Sequence, residues 1–273
     1  MNKLLTKESK PERTYLEAGV IPDGKRAMAL LAMVAFGLWL DRFSPLWGQV
    51  AAGFLFWGLF ISIYHRMPAE SRGLLMSCLI IATLGEIFCS LVWQLYDYRL
   101  YNIPHYVPPG HVLVFLLGSA LASRISPKVV WIVPLLTAPY VIAGYVMGFD
   151  EFGIILFLMF MACMIAEDDK RLYATMFLVC LALEIYGTLL GNWVWKPAVP
   201  LWGLSNTNPP VASGAFYCVL DFLMLRAMLA SRPVAVFFAD IINKAGKRIR
   251  EIFRPEETFP ANYELAAEEY EDR

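Results

Sequence analysis

Three carboxylic acids stand inside long apolar stretches of this chain: Glu86, Glu184 and Asp221. Each lies about 11 or 12 residues into its stretch, which sets all three near the middle of a membrane-spanning helix. An ionised carboxylate in hydrocarbon is costly, and no Lys or Arg lies near the middle of any of these stretches to pair with it. The three acids must therefore face a polar interior, hold a proton or share one. A carboxylic acid that keeps its proton near neutral pH can act as a general acid. The same group can relay protons in a transporter. The structural alternative is a hydrogen-bonded acid that ties helices together. These three residues are the candidate catalytic groups.

Polar and aromatic residues flank two of the acids. Asp97, Arg99, Asn102, His105, Tyr106 and His111 follow Glu86, and Asn192, Lys196, Asn206 and Asn208 follow Glu184. Trp93, Tyr96, Asn102, His111, Asn192, Trp193, Trp195 and Asn208 are the candidate substrate-binding residues. His111 follows Pro108, Pro109 and Gly110 at the start of a helix. It can exchange a proton, bind a polar head group, or simply cap the helix. The Trp and Tyr residues suit an aromatic belt at the membrane interface. Their rings can also face a carbocation.

Several chemistries are excluded by inventory. Three histidines (His65, His105 and His111) are too few for a histidine-box di-iron centre, and His65 falls on the opposite side from the other two, so no haem is expected. No zinc motif, Walker loop or GxSxG elbow occurs. The five cysteines (Cys78, Cys89, Cys163, Cys180 and Cys218) all fall in apolar runs and read as small buried hydrophobes. No metal and no cofactor is expected. A net charge of -1 gives no field for nucleic acid.

The elements that must position these groups are membrane helices. The 273 residues are 58% hydrophobic and 17% charged, with a mean hydropathy of +0.53, against about a quarter charged in a soluble domain. Apolar runs fall at about 27–41, 46–64, 74–96, 109–124, 128–147, 150–166, 172–191 and 210–230. They predict an all-α polytopic membrane bundle of about eight transmembrane helices. With the N-terminus inside, the cytoplasmic segments hold 20 Lys/Arg and the outer segments only 3 (Arg42, Arg99 and Lys196). That asymmetry puts both termini in the cytoplasm of a bacterial inner membrane. The polar first 26 residues leave no room for a signal-peptide core, so no cleavable signal is expected. The expected layout is a cytoplasmic tail at 1–26, the bundle at 27–231, an amphipathic helix at 232–254 and an acidic disordered tail at 255–273. The amphipathic helix could lie on anionic lipid or pack on the cytoplasmic loops.

Two stretches echo each other. GEIFCSLVWQLYDYRLYNIPHYVPPGH (85–111) and LEIYGTLLGNWVWKPAVPLWGLSNTNPP (183–210) each begin with Glu-Ile, pass through aromatics, and re-enter the membrane at a Pro-Pro pair. The glutamates are 98 residues apart and the Pro-Pro pairs 101. An offset of four spans predicts a parallel repeat of two four-helix halves. Two independent re-entry loops would give the same pattern.

The stretches LYNIPHYVPPGHVLVF and EIYGTLLGNWVW…NPPVASGAFYCVLD resemble a group of bacterial multi-span proteins with the same VPPGH and NPP loops, over about half the chain. That resemblance implies no particular activity. Glu184, Gly187, Gly191, Trp193 and Trp195 also resemble a pattern of small integral membrane enzymes of isoprenoid metabolism. These are the carotenoid hydratases and the membrane terpene and lycopene cyclases. The second resemblance implies metal-free protonation of an alkene or epoxide by buried acids. The leading expectation is thus a membrane enzyme that cyclises, hydrates or isomerises a lipid or isoprenoid. A proton-coupled transporter or lipid flippase is the second, and a non-catalytic membrane subunit or assembly factor the third.

Overall fold

The computed structural model describes residues 21–44 and 46–227. Most of the 1–26 tail, the amphipathic helix expected at 232–254 and the acidic tail lie outside these residues.

The chain is mostly helical. Helix α1 (Gly24–Phe43) starts at Asp23, whose side chain accepts a hydrogen bond from the Arg26 amide at 2.8 Å. Then come α2 (Trp47–Arg66), α3 (Ala69–Glu86) and a π-helical continuation of α3 (Ile87–Val92). Next are α4 (Val107–Ala122), α5 (Ile132–Met147), α6 (Phe152–Ala166) and α7 (Lys170–Leu190). A last helix, α8, runs from residue 214 to the end of the described residues at 227. The helices follow the eight apolar runs. Four helical segments are long and apolar enough to cross a membrane: Trp47–Arg66, Ser71–Val92, Pro127–Met147 and Lys170–Leu190. Val107–Ala122 and Phe152–Ala166 are apolar but shorter.

Helix α4 is the axis of the bundle. It is apolar all round and almost every residue is buried, as expected of a helix surrounded by others. It packs on α1, α2, α3 and α7, while α5 and α6 pack on each other and reach α7. Phe54, Leu84, Leu135, Leu158 and Leu189 are exposed on the outer faces. In water such side chains would be a liability; in lipid they are the outer coat.

The all-α expectation needs one correction. The run at 74–96 does not end as helix. The helical segment stops at Val92, and the chain turns into a strand, β1 (Tyr96–Tyr98). After α7 a second strand, β2 (Trp193–Trp195), pairs with it antiparallel. Alternating aromatic and other residues (YDY and WVW) fit a ribbon with one buried face.

Candidate functional site

The ribbon is where the two echoing stretches meet. Each preceding helix is followed by a residue with left-handed backbone, Gln94 at φ 60° and Gly191 at φ 72°. At Gly191 this is the ordinary glycine terminus of a helix. Tyr96 then faces Trp195, Asp97 faces Val194, and Tyr98 faces Trp193. The flanking bonds match: the Arg99 amide donates to the Asn192 carbonyl and the Lys196 amide to the Leu95 carbonyl, both at 2.9 Å. Lys196 also forms an ion pair with Asp97. The register is two-fold symmetric about Asp97 and Val194. Every residue from Gln94 to Arg99 matches one 97 positions later, whereas the glutamates are 98 apart. The π-helical turn between Glu86 and Gln94 absorbs the extra residue, with the Trp93 amide bonding back to the Phe88 carbonyl at 2.7 Å.

Alternate side chains of a strand share a face. Here that face carries four aromatic donors, and two glutamates receive them. Glu86 Oε1 accepts from the hydroxyls of Tyr96 and Tyr98, both at 2.8 Å. Glu184 Oε2 accepts from Trp193 Nε1 at 2.8 Å and Trp195 Nε1 at 3.0 Å. Burial first, and the Glu86 charge second, push the Tyr98 phenol well above its ordinary value, so it stays a donor. Gly187 makes the Trp193 contact possible, because a Cβ there would lie 2.0 Å from the Trp193 ring.

The second oxygen of each glutamate faces another ring. Tyr217 donates to Glu184 Oε1 at 3.3 Å, and His111 Nε2 lies 3.7 Å from Glu86 Oε2. His111 and Tyr217 stack, with ring centroids 4.9 Å apart and planes at 27°. An indole N–H only donates, so Glu184 Oε2 must accept both bonds. A proton on Glu184 therefore resides on Oε1, the oxygen that faces Tyr217.

Both glutamates line one cavity of about 650 Å³, within the range of small-molecule sites. Its walls are apolar along α1, α3, α4 and α8. Its polar groups are Glu86, Glu184, His111, Ser213 and the four ribbon side chains with Tyr106 and Tyr217. Glu86 and Glu184 are 6% exposed, so the cavity rather than open solvent is their surroundings. Both stand six residues before the end of their helical segments, at Val92 and Leu190. The helices begin earlier than the apolar runs, at Ala69 and Lys170, so the pair lies nearer the ribbon end than mid-span.

The expected residues divide clearly. Glu86, Glu184, Trp93, Tyr96, His111, Trp193 and Trp195 line the cavity. Asp221 does not. It borders a separate void of about 10 Å³, the size of one water, which shares His111 and Tyr217 with the main cavity. Its Oδ2 is buried without a hydrogen-bond partner. The three asparagines hold the loops rather than line the cavity. Asn102 donates to Gln49 Oε1 at 2.9 Å, Asn192 donates to the Leu38 carbonyl at 2.9 Å, and Asn208 Oδ1 accepts the Trp195 amide at 3.0 Å. Tyr98, Tyr217 and Ser213 are site residues that the sequence reading missed. The alternation YDY was visible signal for Tyr98. Tyr217 had none, since only packing brings α8 to Glu184.

Two aspartates anchor the frame. Asp41 accepts Arg99 at 2.8 Å and the Tyr106 hydroxyl at 2.9 Å, holding the loop before α4 to the end of α1. Asp150, in the turn between α5 and α6, accepts Thr207 Oγ1 at 3.1 Å and the Val211 amide at 3.3 Å, holding the loop before α8. Burial pushes the Asp150 carboxyl up, against the pull of these hydrogen bonds. Among the described residues, no three His, Cys, Asp or Glu side chains are placed to hold a metal ion. Comparison with protein-family models, curated proteins and solved structures finds no match to this chain.

Proposed function

We propose that this protein is an integral membrane enzyme that protonates a double bond or epoxide of a lipid or isoprenoid, leading to cyclisation, hydration or isomerisation. The observation that carries the reading is the pair of ribbon-held glutamates at the polar part of a 650 Å³ apolar cavity. Glu184 is the acid. Two donor-only indoles fix its Oε2, so its proton sits on Oε1 and leaves from there. The alkene π pair takes that proton and leaves a cation on the neighbouring carbon. Aromatic rings on the ribbon face that cation. Loss of an adjacent proton completes an isomerisation, capture of water a hydration, and attack by a second double bond followed by proton loss a cyclisation. Glu86 with His111 accepts the released proton, and return of that proton to Glu184 resets the acid, so no proton is consumed overall. The binding partners in this reading are a membrane lipid or isoprenoid and the bilayer itself, with no nucleic acid and no cofactor.

The same reading takes all eight helices as spans, with both termini in the cytoplasm of a bacterial inner membrane and the ribbon at the outer face. The 20 to 3 split of Lys and Arg supports it. The test is the lipid extract of expressing cells. Glu86→Gln and Glu184→Gln should each accumulate to wild-type level and abolish the product. An unchanged lipid profile in both variants sinks the proposal.

A second reading rests on the two-fold register of the ribbon. Internal repeats with a site at their interface are common in transporters. Solute uptake coupled to proton flux in proteoliposomes, lost in the same two variants, would select it.

A further inference from the structure

We propose that the cavity takes a neutral lipid chain, free of phosphate and carboxylate, and admits it sideways from the bilayer through the seam between α3 and α8. The inference rests on the cavity being a lipid site; it adds the charge class of the occupant and its route.

The route follows from the walls. Leu84 and Phe88 on the α3 side, and Leu223 on α8, line the cavity and are also 60%, 51% and 47% exposed in total, more surface than the cavity alone accounts for. One layer of side chains therefore separates cavity from surroundings along this seam. The helices touch there through Gly85 and Leu220, where a Cβ on residue 85 would lie 2.5 Å from Leu220 Cδ2. Leu220 also lines the cavity. The seam is thus closed by a leucine side chain lying on a glycine. A leucine can change rotamer far faster than helices can part.

The charge class follows from what the cavity lacks and what it holds. Among the described residues that line it there is no Lys or Arg, whereas two carboxyl groups are present. Phosphate and carboxylate head groups are ordinarily met by Arg, Lys or free amides at a helix N-terminus. Helix α4 begins at the cavity with Pro108 and Pro109, which have no N–H, and the Val107 and Gly110 amides are bonded to the carbonyls of Pro104 and Tyr106. At the start of α8 the amides of Ser213, Ala215 and Phe216 are bonded to Pro210, Ala212 and Ser213. An anion would meet the Glu86 and Glu184 carboxyl groups and engaged amides beside apolar walls, which costs binding energy. A neutral chain meets apolar walls and hydrogen-bonding groups at one place.

The test is binding of a matched probe pair to the full chain in lipid nanodiscs. Parinaric acid methyl ester and parinaric acid share one fluorescent polyene and differ in charge at alkaline pH. The ester should bind, read by the polyene's own emission, and the anion should bind at least about tenfold more weakly. In a Glu86→Gln/Glu184→Gln double variant that gap should narrow, which a merely structural effect would not produce. Equal or tighter binding of the anion to the wild type overturns the charge assignment. For the route, Leu84→Trp and Leu223→Trp should slow association of the ester about tenfold, since they crowd the seam through which it enters. Leu189→Trp, equally lipid-facing but away from the cavity, should leave the rate unchanged. Unaltered association in both seam variants overturns lateral entry. If lipid extracts are unchanged in the single glutamine variants while the ester still binds, the catalytic reading falls and this inference stands.

Discussion

The two oxygens of Glu184 have different tasks because indole nitrogens cannot accept a hydrogen bond. Oε2 is held by Trp193 and Trp195, and Oε1 is left to Tyr217 and the cavity. Trp193→Phe removes one donor from a buried carboxyl group and should lower stability by about 1–3 kcal/mol, read as the melting temperature in detergent. Gly187→Ala should destabilise by a similar ~1–3 kcal/mol, because its Cβ would overlap the Trp193 ring at 2.0 Å and push the indole off Glu184. Combined with Trp193→Phe, the second substitution should cost much less than alone. Asp150 carries a pH signature. Its folded value is raised by burial, so it adds stability that is fully present below about pH 4, its ordinary range, and lost as pH rises through the folded value. Asp150→Asn removes that component. The melting temperature of wild type minus variant should therefore fall as pH rises through this window; a flat difference would refute it.

At the scale of elements, the π-helical turn Ile87–Val92 is the device that matches two arms of unequal length. Glu86 reaches Tyr96 ten residues on, while Glu184 reaches Trp193 nine residues on. The turn takes up the difference, so both glutamates meet the same face of one ribbon. Deleting Cys89 should let this turn relax to an ordinary α-helix with Glu86 still facing Tyr96 and Tyr98. That deletion should yield a folded, monodisperse protein, whereas deleting Leu189 from α7 should not. If both deletions aggregate alike, the turn is not acting as an inserted residue. The ribbon is equally an element-scale object. Three residues on each side would not hold alone, but Asp41 and Asp150 fasten the loops around it to α1 and α6.

For the whole molecule, the question is how many of the eight helices cross the bilayer. Four are long and apolar enough by themselves. Helix α4, with 16 residues, is too short to span about 30 Å unaided, but it is wrapped by α1, α2, α3 and α7 and needs little lipid contact of its own. The eight-span reading predicts that Leu201→Cys, in the exposed loop beyond the ribbon, reacts with a membrane-impermeant maleimide in intact cells. Lys128→Cys should react only after permeabilisation. Labelling of both from outside would break the topology and with it the placement of the ribbon at the outer face.

The amino-acid sequence alone determined the apolar helices, their order and their approximate ends, because hydrophobic runs and proline breaks are local properties. It also singled out Glu86 and Glu184, since a carboxyl group inside an apolar run is conspicuous wherever the chain goes. Only the tertiary structure decided that the two acids share a cavity, that Asp221 stands beside it rather than in it, and that Asn102, Asn192 and Asn208 serve the loops. Those outcomes depend on which helix packs against which, and no local pattern encodes that. The ribbon shows the division most clearly. YDY and WVW each alternate aromatic and other residues along the chain, but their pairing joins residues 97 or so apart, and it forms only because α3 and α7 deliver them to the same end of the bundle.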